Sequence, residues 1–125
     1  MPTEHSLSQA ELKLMEIIWA NNPILSAELI KIAGQEFGWK RTTVYTLLKR
    51  IGAKGILKND NALVVALISR EEFFAKQSHN FVADTFGGSL PMFITSFISG
   101  KKLSQQQAAE LRQLIDEHER AGDDE

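Results

Sequence analysis

The stretch that most constrains the fold is a basic segment between two glycines, GWKRTTVYTLLKRIGAKG, residues 38–55. Its apolar stripe follows the i, i+3, i+4, i+7 spacing of one helix face and consists of Val44, Leu47, Leu48 and Ile51. We therefore expect an amphipathic helix over about residues 41–52, with its basic face turned away from a core.

Two further helical patterns precede this segment with short connections. One runs from about Gln9 to Ala20 and is closed by Pro23, because the residue before a proline is pushed out of the helical region. The next begins at Ser26 and stops at Gly38. Three short helices with tight connections, the third of them basic, are typical of a helix-turn-helix.

After Gly55 the pattern changes from helix to strand. The runs ILK and LVVALI flank the turn-forming sequence NDNA, which predicts a short β-hairpin. A helix-turn-helix followed by a hairpin is a winged helix, and we assign it to residues 1–68 as a DNA-binding domain.

Residues 69–125 return to helical patterns and form a predicted helical dimerisation region. Helices are expected after Ser69, over about residues 90–98, and from Ser104 to about Glu119. The S-x-x-E/Q sequence of a helix capping box recurs at Ser8, Ser69 and Ser104. The predicted fold class is therefore mainly α, with a small β-hairpin wing.

Aromatic residues are concentrated in this second region, because six of the seven phenylalanines lie between residues 73 and 97. A region of this size cannot easily bury so much aromatic surface alone. We expect a partner subunit to cover it, although a small apolar ligand between the helices would give the same composition. The predicted dimer interface consists of Phe74, Phe81, Leu90, Phe93, Ile94, Phe97, Leu111 and Ile115.

Charge is distributed unevenly along the chain. The formal net charge is −2, yet residues 40–58 carry six Lys or Arg and no Asp or Glu. A basic patch on an acidic protein indicates a polyanion that binds there, whereas the alternative is an ordinary solvated helix face. Opposite the apolar stripe lie side chains that can reach base edges and phosphates, namely Thr42, Tyr45, Thr46 and Lys49.

Two aromatic residues near this helix receive different interpretations. Tyr45 is the only tyrosine and contacts either a DNA groove or the preceding helix. Trp39 is interpreted as a core anchor for the turn rather than as a ligand contact.

Other classes of function find little support in the sequence. The chain has no cysteine, which excludes disulfides, thiolate metal sites and a cysteine nucleophile. His5, His79 and His118 lie far apart, so we expect no metal site and no cofactor. Phosphate-binding glycine loops and catalytic spacings are absent, so we do not expect an enzyme. The apolar runs are too short to cross a membrane and no leader sequence is recognisable, so we expect a cytoplasmic protein.

The chain resembles the BlaI/MecI/CopY family of penicillinase, methicillin-resistance and copper repressors. The similarity rests on the order and spacing of AELKLMEIIW, GWKRTTVYTLLKRIGAKGIL, ISREEF and LSQQQAAELRQLID. It extends from Leu7 to about Glu117. The resemblance implies a homodimeric bacterial repressor whose winged helix binds an inverted-repeat operator, often with TACA/TGTA-type half-sites.

The matching positions also imply roles for individual residues. With the third helix in the major groove, the expected base-reading residues are Thr42, Thr43, Tyr45 and Thr46. The resemblance implies phosphate contacts for Lys40, Arg41, Lys49 and Arg50. We expect the remaining basic residues of the segment, Lys54 and Lys58, to contact phosphate as well.

Three departures separate the chain from the family pattern. The wing is short and lacks a Gly-Arg pair near its tip, so Lys58 is its only basic residue. The cysteine pairs of the copper-sensing branch are missing. The Asn-Phe bond that is cleaved in the β-lactam-sensing branch aligns with Ser96-Phe97, so control by a sensor protease or a small-molecule inducer has no clear sequence signal.

The leading hypothesis is a transcriptional repressor that occupies operator DNA as a homodimer. The alternative is a winged helix that serves protein–protein interaction or an anti-activator role without specific DNA binding. The short wing and the acidic C-terminal region favour the alternative, whereas the basic run free of carboxylates favours DNA.

Overall fold

The computed structural model of the protein describes residues 6–123. The elements in chain order are α1 (Gln9–Ala20), β1 (Ile24–Leu25), α2 (Ser26–Phe37), α3 (Arg41–Ala53), β2 (Leu57–Asp60), β3 (Leu63–Ala66), α4 (Arg70–Phe86), α5 (Leu90–Ile98) and α6 (Gln105–Asp123). They form two compact units, of which the first ends at Asn80 and the second begins at Phe81. The predicted functional boundary between residues 68 and 69 lies earlier in the chain and stays a prediction.

The first three helices have the bounds that the sequence predicts. α1 begins with a complete capping box, in which Glu11 N–H donates to Ser8 Oγ at 3.1 Å and Ser8 N–H donates to Glu11 Oε1 at 2.7 Å. α2 ends at Gly38, whose φ of +69° lies in the left-handed region that glycine adopts readily. α3 then begins at Arg41, so the turn between the two helices is tight.

The wing belongs to a three-stranded antiparallel sheet in the order β1-β3-β2. β1 has only two residues and was not predicted from the sequence. Ile24 pairs with Val64 and Leu25 pairs with Leu63, so β1 covers the edge of β3 that β2 leaves free. The predicted winged helix is confirmed, with one strand more than the hairpin alone.

The hairpin turn is tighter than the predicted NDNA. Asn59 and Asp60 belong to β2 and pair with β3, so the turn consists of Asn61 and Ala62 alone. Their φ angles are +51° and +67°. Two consecutive positive φ angles are the mark of a type I′ turn, whose twist matches that of a two-stranded ribbon.

One apolar core lies beneath the helices and the sheet of the first unit. Its largest fully buried side chains are Leu14, Met15, Ile18, Leu29, Val44, Ile51, Ile56 and Val64. Each such side chain contributes roughly 1.5–3 kcal/mol when it leaves water. The whole predicted stripe of α3 is buried in this core, so α3 has only one face free for a partner.

The start of α4 packs on α1 through aromatic rings. Phe73 is 3% exposed, and its ring centroid lies 5.5 Å from that of Trp19. Phe74 is only half-buried, at 6.1 Å from Trp19. Phe74 was predicted at the dimer interface and Phe73 was not singled out, whereas Phe73 is the core residue of this pair.

The second unit is built around phenylalanine rings. The ring of Phe93 lies 5.8 Å from Phe81, 5.5 Å from Phe86 and 6.0 Å from Phe97. No side chain of α5 is fully buried, although this helix is strongly apolar. α6 continues to Asp123, beyond the predicted end near Glu119.

In the described part of the chain, no single helix is both long and apolar enough to cross a membrane. Two consecutive helices, Arg70–Phe86 and Leu90–Ile98, reach the length and hydropathy of a membrane span only when they are taken together, and the chain bends between them.

Candidate nucleic-acid interface

α3 divides into two faces with opposite character. Its apolar stripe is buried, whereas every other side chain from Arg41 to Arg50 is exposed. At 100° per residue, the centre of the exposed face falls on Thr42, Thr46 and Lys49. Thr43 lies toward one edge of that face. The structure therefore brings together the four predicted base-reading residues, with Thr42 and Thr46 most central.

The two central threonines are linked through the helix backbone. The Thr46 hydroxyl donates to the carbonyl oxygen of Thr42 at 2.9 Å. This bond uses the hydroxyl hydrogen of Thr46 and leaves its oxygen lone pairs and its methyl group facing solvent. The Thr46 side chain can thus accept a hydrogen bond or pack on a thymine methyl without changing its position.

Tyr45 shows features of both sequence-based interpretations. Its side chain is 39% exposed, and the Arg41 guanidinium lies 5.5 Å from the centre of its ring. Hydrogen bonding from Arg41 and then from Ser26 of α2 lowers the pKa of the Tyr45 hydroxyl. The ring is therefore partly exposed to solvent, and its hydroxyl lies near both Arg41 and the start of α2.

The cations of α3 have no acidic partner. Within residues 6–123, none of the side chains Lys40, Arg41, Lys49 and Arg50 forms an ion pair. The first turn of α3 contains no acidic residue, and its N-cap Lys40 makes no side-chain capping hydrogen bond. Both features leave the positive end of the helix dipole available to an anion such as phosphate.

Lys54 differs from the other predicted phosphate contacts. Its ammonium group donates to both carboxylate oxygens of Glu11, at 2.8 and 3.0 Å, and to the carbonyl oxygen of Ser6 at 2.8 Å. A lysine has three N–H groups, so these bonds use all of its donors. The structure therefore gives no support to a phosphate contact by Lys54.

Glu11 is the buried partner of this ion pair. It is 3% exposed, and burial alone would raise the pKa of its carboxyl group. The hydrogen bonds from Lys54 and Ser8 outweigh burial and hold the pKa of Glu11 below its ordinary value. The sequence indicated Glu11 as the acidic member of the Ser8 capping box and as a position that matches the family. It did not indicate the ion pair, because a spacing of 43 residues from Lys54 carries no local signal.

The wing borders α3 but adds little positive charge. A shallow cavity of about 310 Å³ separates them and is lined by Tyr45, Leu48, Lys49, Gly52, Leu57 and Asn59. Lys58 of β2 is exposed, and so is Asp60 in the same strand. Any contribution of the wing to DNA binding therefore rests on one lysine.

Trp39 lies beside α3 and confirms its predicted role. Its indole is half-buried against the core, and its ring centroid lies 4.7 Å from that of Phe37. The tryptophan thus fixes the turn before α3.

No group of three potential metal ligands occurs among the described residues. His79 and His118 lie on different helices, α4 and α6. His5 falls outside the described residues.

The predicted dimer residues divide between the two units. Phe74 packs with Trp19 in the first unit, which gives it a role inside that unit. In the second unit, several large apolar side chains are exposed, namely Phe81 (51%), Leu90 (58%), Phe97 (69%), Leu111 (38%) and Ile115 (59%). Phe93 and Ile94 are half-buried and line an apolar cavity of about 320 Å³ between α5 and α6. Met92 and Leu114, both about 60% exposed, are not among the predicted dimer residues. Met92 lies away from the apolar stripe of α5, whereas Leu114 lies on the same side of α6 as Leu111 and Ile115.

The chain is similar in sequence to known repressors. Residues 7–117 match the family model of the penicillinase repressor. The penicillinase repressor of Bacillus licheniformis is 29% identical over 90% of this chain and 91% of its own length. The methicillin resistance regulatory protein MecI of Staphylococcus aureus (strain N315) is 27% identical over 89% of this chain and 94% of its own length. The solution structure of the DNA binding domain of the repressor BlaI is 30% identical, with a TM-score of 0.49 over 58% of this chain and 93% of that one.

The family match covers both the winged helix and most of the helical region that follows it. The chain therefore belongs to the penicillinase repressor family.

Proposed function

We propose that this protein represses transcription by binding an inverted-repeat operator as a homodimer, with α3 in the major groove. The observation that carries the proposal is the exposed face of α3. On that face, threonines and a tyrosine lie among four cations that have no ion-pair partner in residues 6–123. A surface of this kind fits the phosphates and base edges of duplex DNA.

The proposal assigns two kinds of contact to α3. Thr42 and Thr46 lie at the centre of the exposed face and would read bases, with Thr43 and Tyr45 at its edges. Lys40 and Arg41 at the start of the helix, and Lys49 and Arg50 near its end, would bind phosphates on either side of the groove. Lys58 would add one phosphate contact from the wing.

The exposed apolar surface of the second unit supports the dimer. An isolated chain would leave Phe97, Leu114 and Ile115 in water, each more than half exposed. Large contiguous apolar surfaces usually mark an interface. A two-fold dimer would present two α3 helices to the two halves of an inverted repeat.

The proposal also concerns location and signal. A protein that represses transcription in a bacterium acts in the cytoplasm, where the chromosome lies. Ser96 and Phe97 both lie inside α5, so the structure provides no extended segment at this bond for a sensor protease. The apolar cavity between α5 and α6 would suit a small apolar inducer only if the dimer leaves it open.

The decisive experiment is fluorescence anisotropy with a labelled TACA/TGTA inverted repeat and a scrambled duplex of equal length, each over a series of salt concentrations. We expect tight binding to the repeat at one dimer per site, with a steep salt dependence from the release of counterions. Equal, weak binding to both duplexes would reject this operator sequence, and selection from random DNA would then identify the correct one.

A second candidate is an interaction module without specific DNA binding. The observation in its favour is the low net charge of the wing, because the positive charge of Lys58 and the negative charge of Asp60 lie in the same strand. Failure to bind either duplex near physiological salt would favour this candidate over the repressor.

A further inference from the structure

We propose that Lys54 is a positioning residue for DNA recognition. It pairs with Glu11, fixes the angle of α3 relative to α1, and does not contact DNA itself. This inference rests on the proposed function, because it concerns how α3 reads an operator. It replaces the phosphate contact that the sequence suggested for Lys54.

The first observation is the location of the ion pair. Lys54 is the C-cap residue of α3, and Glu11 lies in the first turn of α1. The pair therefore joins the C-terminal end of α3 to the N-terminal end of α1. Gly55 and Ile56 follow directly, and the carbonyl oxygen of Ile56 accepts from Leu67 N–H at 2.8 Å at the base of the wing. The end of α3 and the start of the wing are thus anchored at the same point.

The second observation is that the geometry of the pair is fully specified. The ammonium group of Lys54 has three acceptors between 2.8 and 3.0 Å, and the Glu11 carboxylate also accepts from Ser8 N–H. The side chains are 30% and 5% exposed, respectively. A charged donor with three fixed acceptors tolerates little displacement, whereas an apolar contact of the same size allows α3 to slide or rotate.

The third point is that the position of α3 depends on both charges of the ion pair. A buried carboxylate without its cation carries a large desolvation cost, so loss of either partner should displace the end of α3. A small change in the angle of a recognition helix displaces its base-reading residues from the bases, which weakens binding to the operator. The attraction of its cations to phosphate depends less on that angle. Loss of the pair should therefore reduce discrimination between DNA sequences more than overall DNA affinity.

The test compares three variants with the wild type: Lys54→Met, Glu11→Gln, and the double variant Glu11→Leu/Lys54→Met. For each, Kd is measured on the inverted repeat and on the scrambled duplex over a salt series, at a temperature where circular dichroism shows the folded state. A control, Lys49→Met, removes a lysine from the exposed face of α3. We expect each of the three variants to lose about tenfold in the ratio of scrambled to repeat Kd, the value of one displaced base contact.

The salt dependence separates positioning from phosphate binding. We expect the slope of log K against log salt to remain unchanged in Lys54→Met, and to fall by about 0.9 in Lys49→Met. Glu11→Gln is the sharpest variant, because removing a negative charge should strengthen DNA binding if only charge matters. A loss of repeat affinity in Glu11→Gln that exceeds its loss of affinity for the scrambled duplex supports positioning.

A purely structural role predicts a different result. A variant that is only less stable has a smaller active fraction, which changes both Kd values by the same factor and leaves their ratio intact. The double variant guards against a failure to fold, because an apolar replacement of a buried ion pair is often neutral for stability.

The outcomes separate this inference from the proposed function. An unchanged Kd ratio in all three variants, or a salt slope in Lys54→Met that falls as in Lys49→Met, overturns the positioning role while the repressor stands. A wild type that binds no duplex, including those selected from random DNA, more tightly than the scrambled one overturns both.

Discussion

The guanidinium group of Arg70 donates to the carboxylate of Glu16 at 2.7 and 3.3 Å, which joins the first turn of α4 to α1. The two side chains are 51% and 44% exposed. The same junction contains a less exposed contact, in which Trp19 Nε1–H donates to the carbonyl oxygen of Ile68 at 3.0 Å. Because exposed ion pairs contribute little, the aromatic packing beneath Arg70 should dominate the stability of this junction.

Replacing Phe73 by alanine tests which contact dominates. We expect Phe73→Ala to lower the free energy of unfolding by about 3–5 kcal/mol, because it leaves a cavity beside Trp19. The comparison variant Arg70→Met should cost far less, even though it also removes a cation from above the Phe74 ring, because an exposed ion pair is screened by solvent. Urea denaturation measures both. Equal losses would show that the ion pair, rather than the buried ring, holds α4 on α1.

The turn of the wing offers a stabilising substitution. Ala62 has a φ of +67°, which alanine adopts at a cost and glycine adopts freely. We expect Ala62→Gly to raise the free energy of unfolding by about 0.5–1 kcal/mol, since Asn-Gly is the preferred type I′ turn. The matched control is Ala66→Gly in β3, where the loss of a strand side chain should destabilise by about 0.5–1 kcal/mol. Thermal unfolding of the two variants should therefore shift in opposite directions.

Local sequence patterns predicted most of the winged helix, because its boundaries depend on nearby residues. The Ser8 capping box, the left-handed Gly38 and the buried stripe of α3 are all consequences of residues within a few positions of one another. β1 could not be predicted, because two residues show no alternation and are held by pairing with a distant strand. Phe73 and Phe74 are adjacent, and only the position of Trp19 decides which of them is buried.

The candidate site, too, could be predicted only where it depends on residues that are close in sequence. The exposed face of α3 follows from helical periodicity and was predicted residue by residue. The role of Lys54 depends on a carboxylate that is distant in sequence, so a count of basic residues assigned it to DNA together with the true surface cations. Charge patterns locate a binding surface, but they do not distinguish a free lysine from one that is already paired.

The stability of the protein should depend on the charge of Glu11. Its pKa is lower in the folded state than the ordinary value of 4.5, so the ion pair stabilises the fold above that pH and is lost as pH falls below it. The difference in free energy of unfolding between the wild type and Glu11→Gln should be constant from neutral pH to about pH 5, and should then shrink in acid. Urea titrations of both proteins over this range provide the measurement. A difference that stays constant down to pH 3 would contradict a depressed pKa.

Substitutions on the exposed face of α3 should separate sequence reading from charge. Thr46→Ala removes a methyl and a hydroxyl from the centre of that face, so we expect about a tenfold loss of affinity for the operator and little change on scrambled DNA. Arg50→Met should weaken binding to both duplexes and reduce the salt slope by about 0.9. Anisotropy titrations give both quantities. Identical effects of the two variants on the two duplexes would mean that their assigned roles are wrong.

The apolar surface of the second unit should control assembly. Phe97 is 69% exposed, and a carboxylate at this position would have to enter the interface of the proposed dimer. We therefore expect Phe97→Glu to sediment as a monomer at micromolar concentrations and to lose tight operator binding, because one winged helix contacts only one half-site.

Ser96→Glu is the matched control, since it adds the same charge at the neighbouring exposed position of α5 and should remain dimeric. Sedimentation velocity distinguishes the two species. A wild type that sediments as a monomer at every concentration would instead assign the exposed phenylalanines to a different partner. A monomeric Ser96→Glu would show that the added charge, rather than the loss of an apolar contact, breaks the dimer.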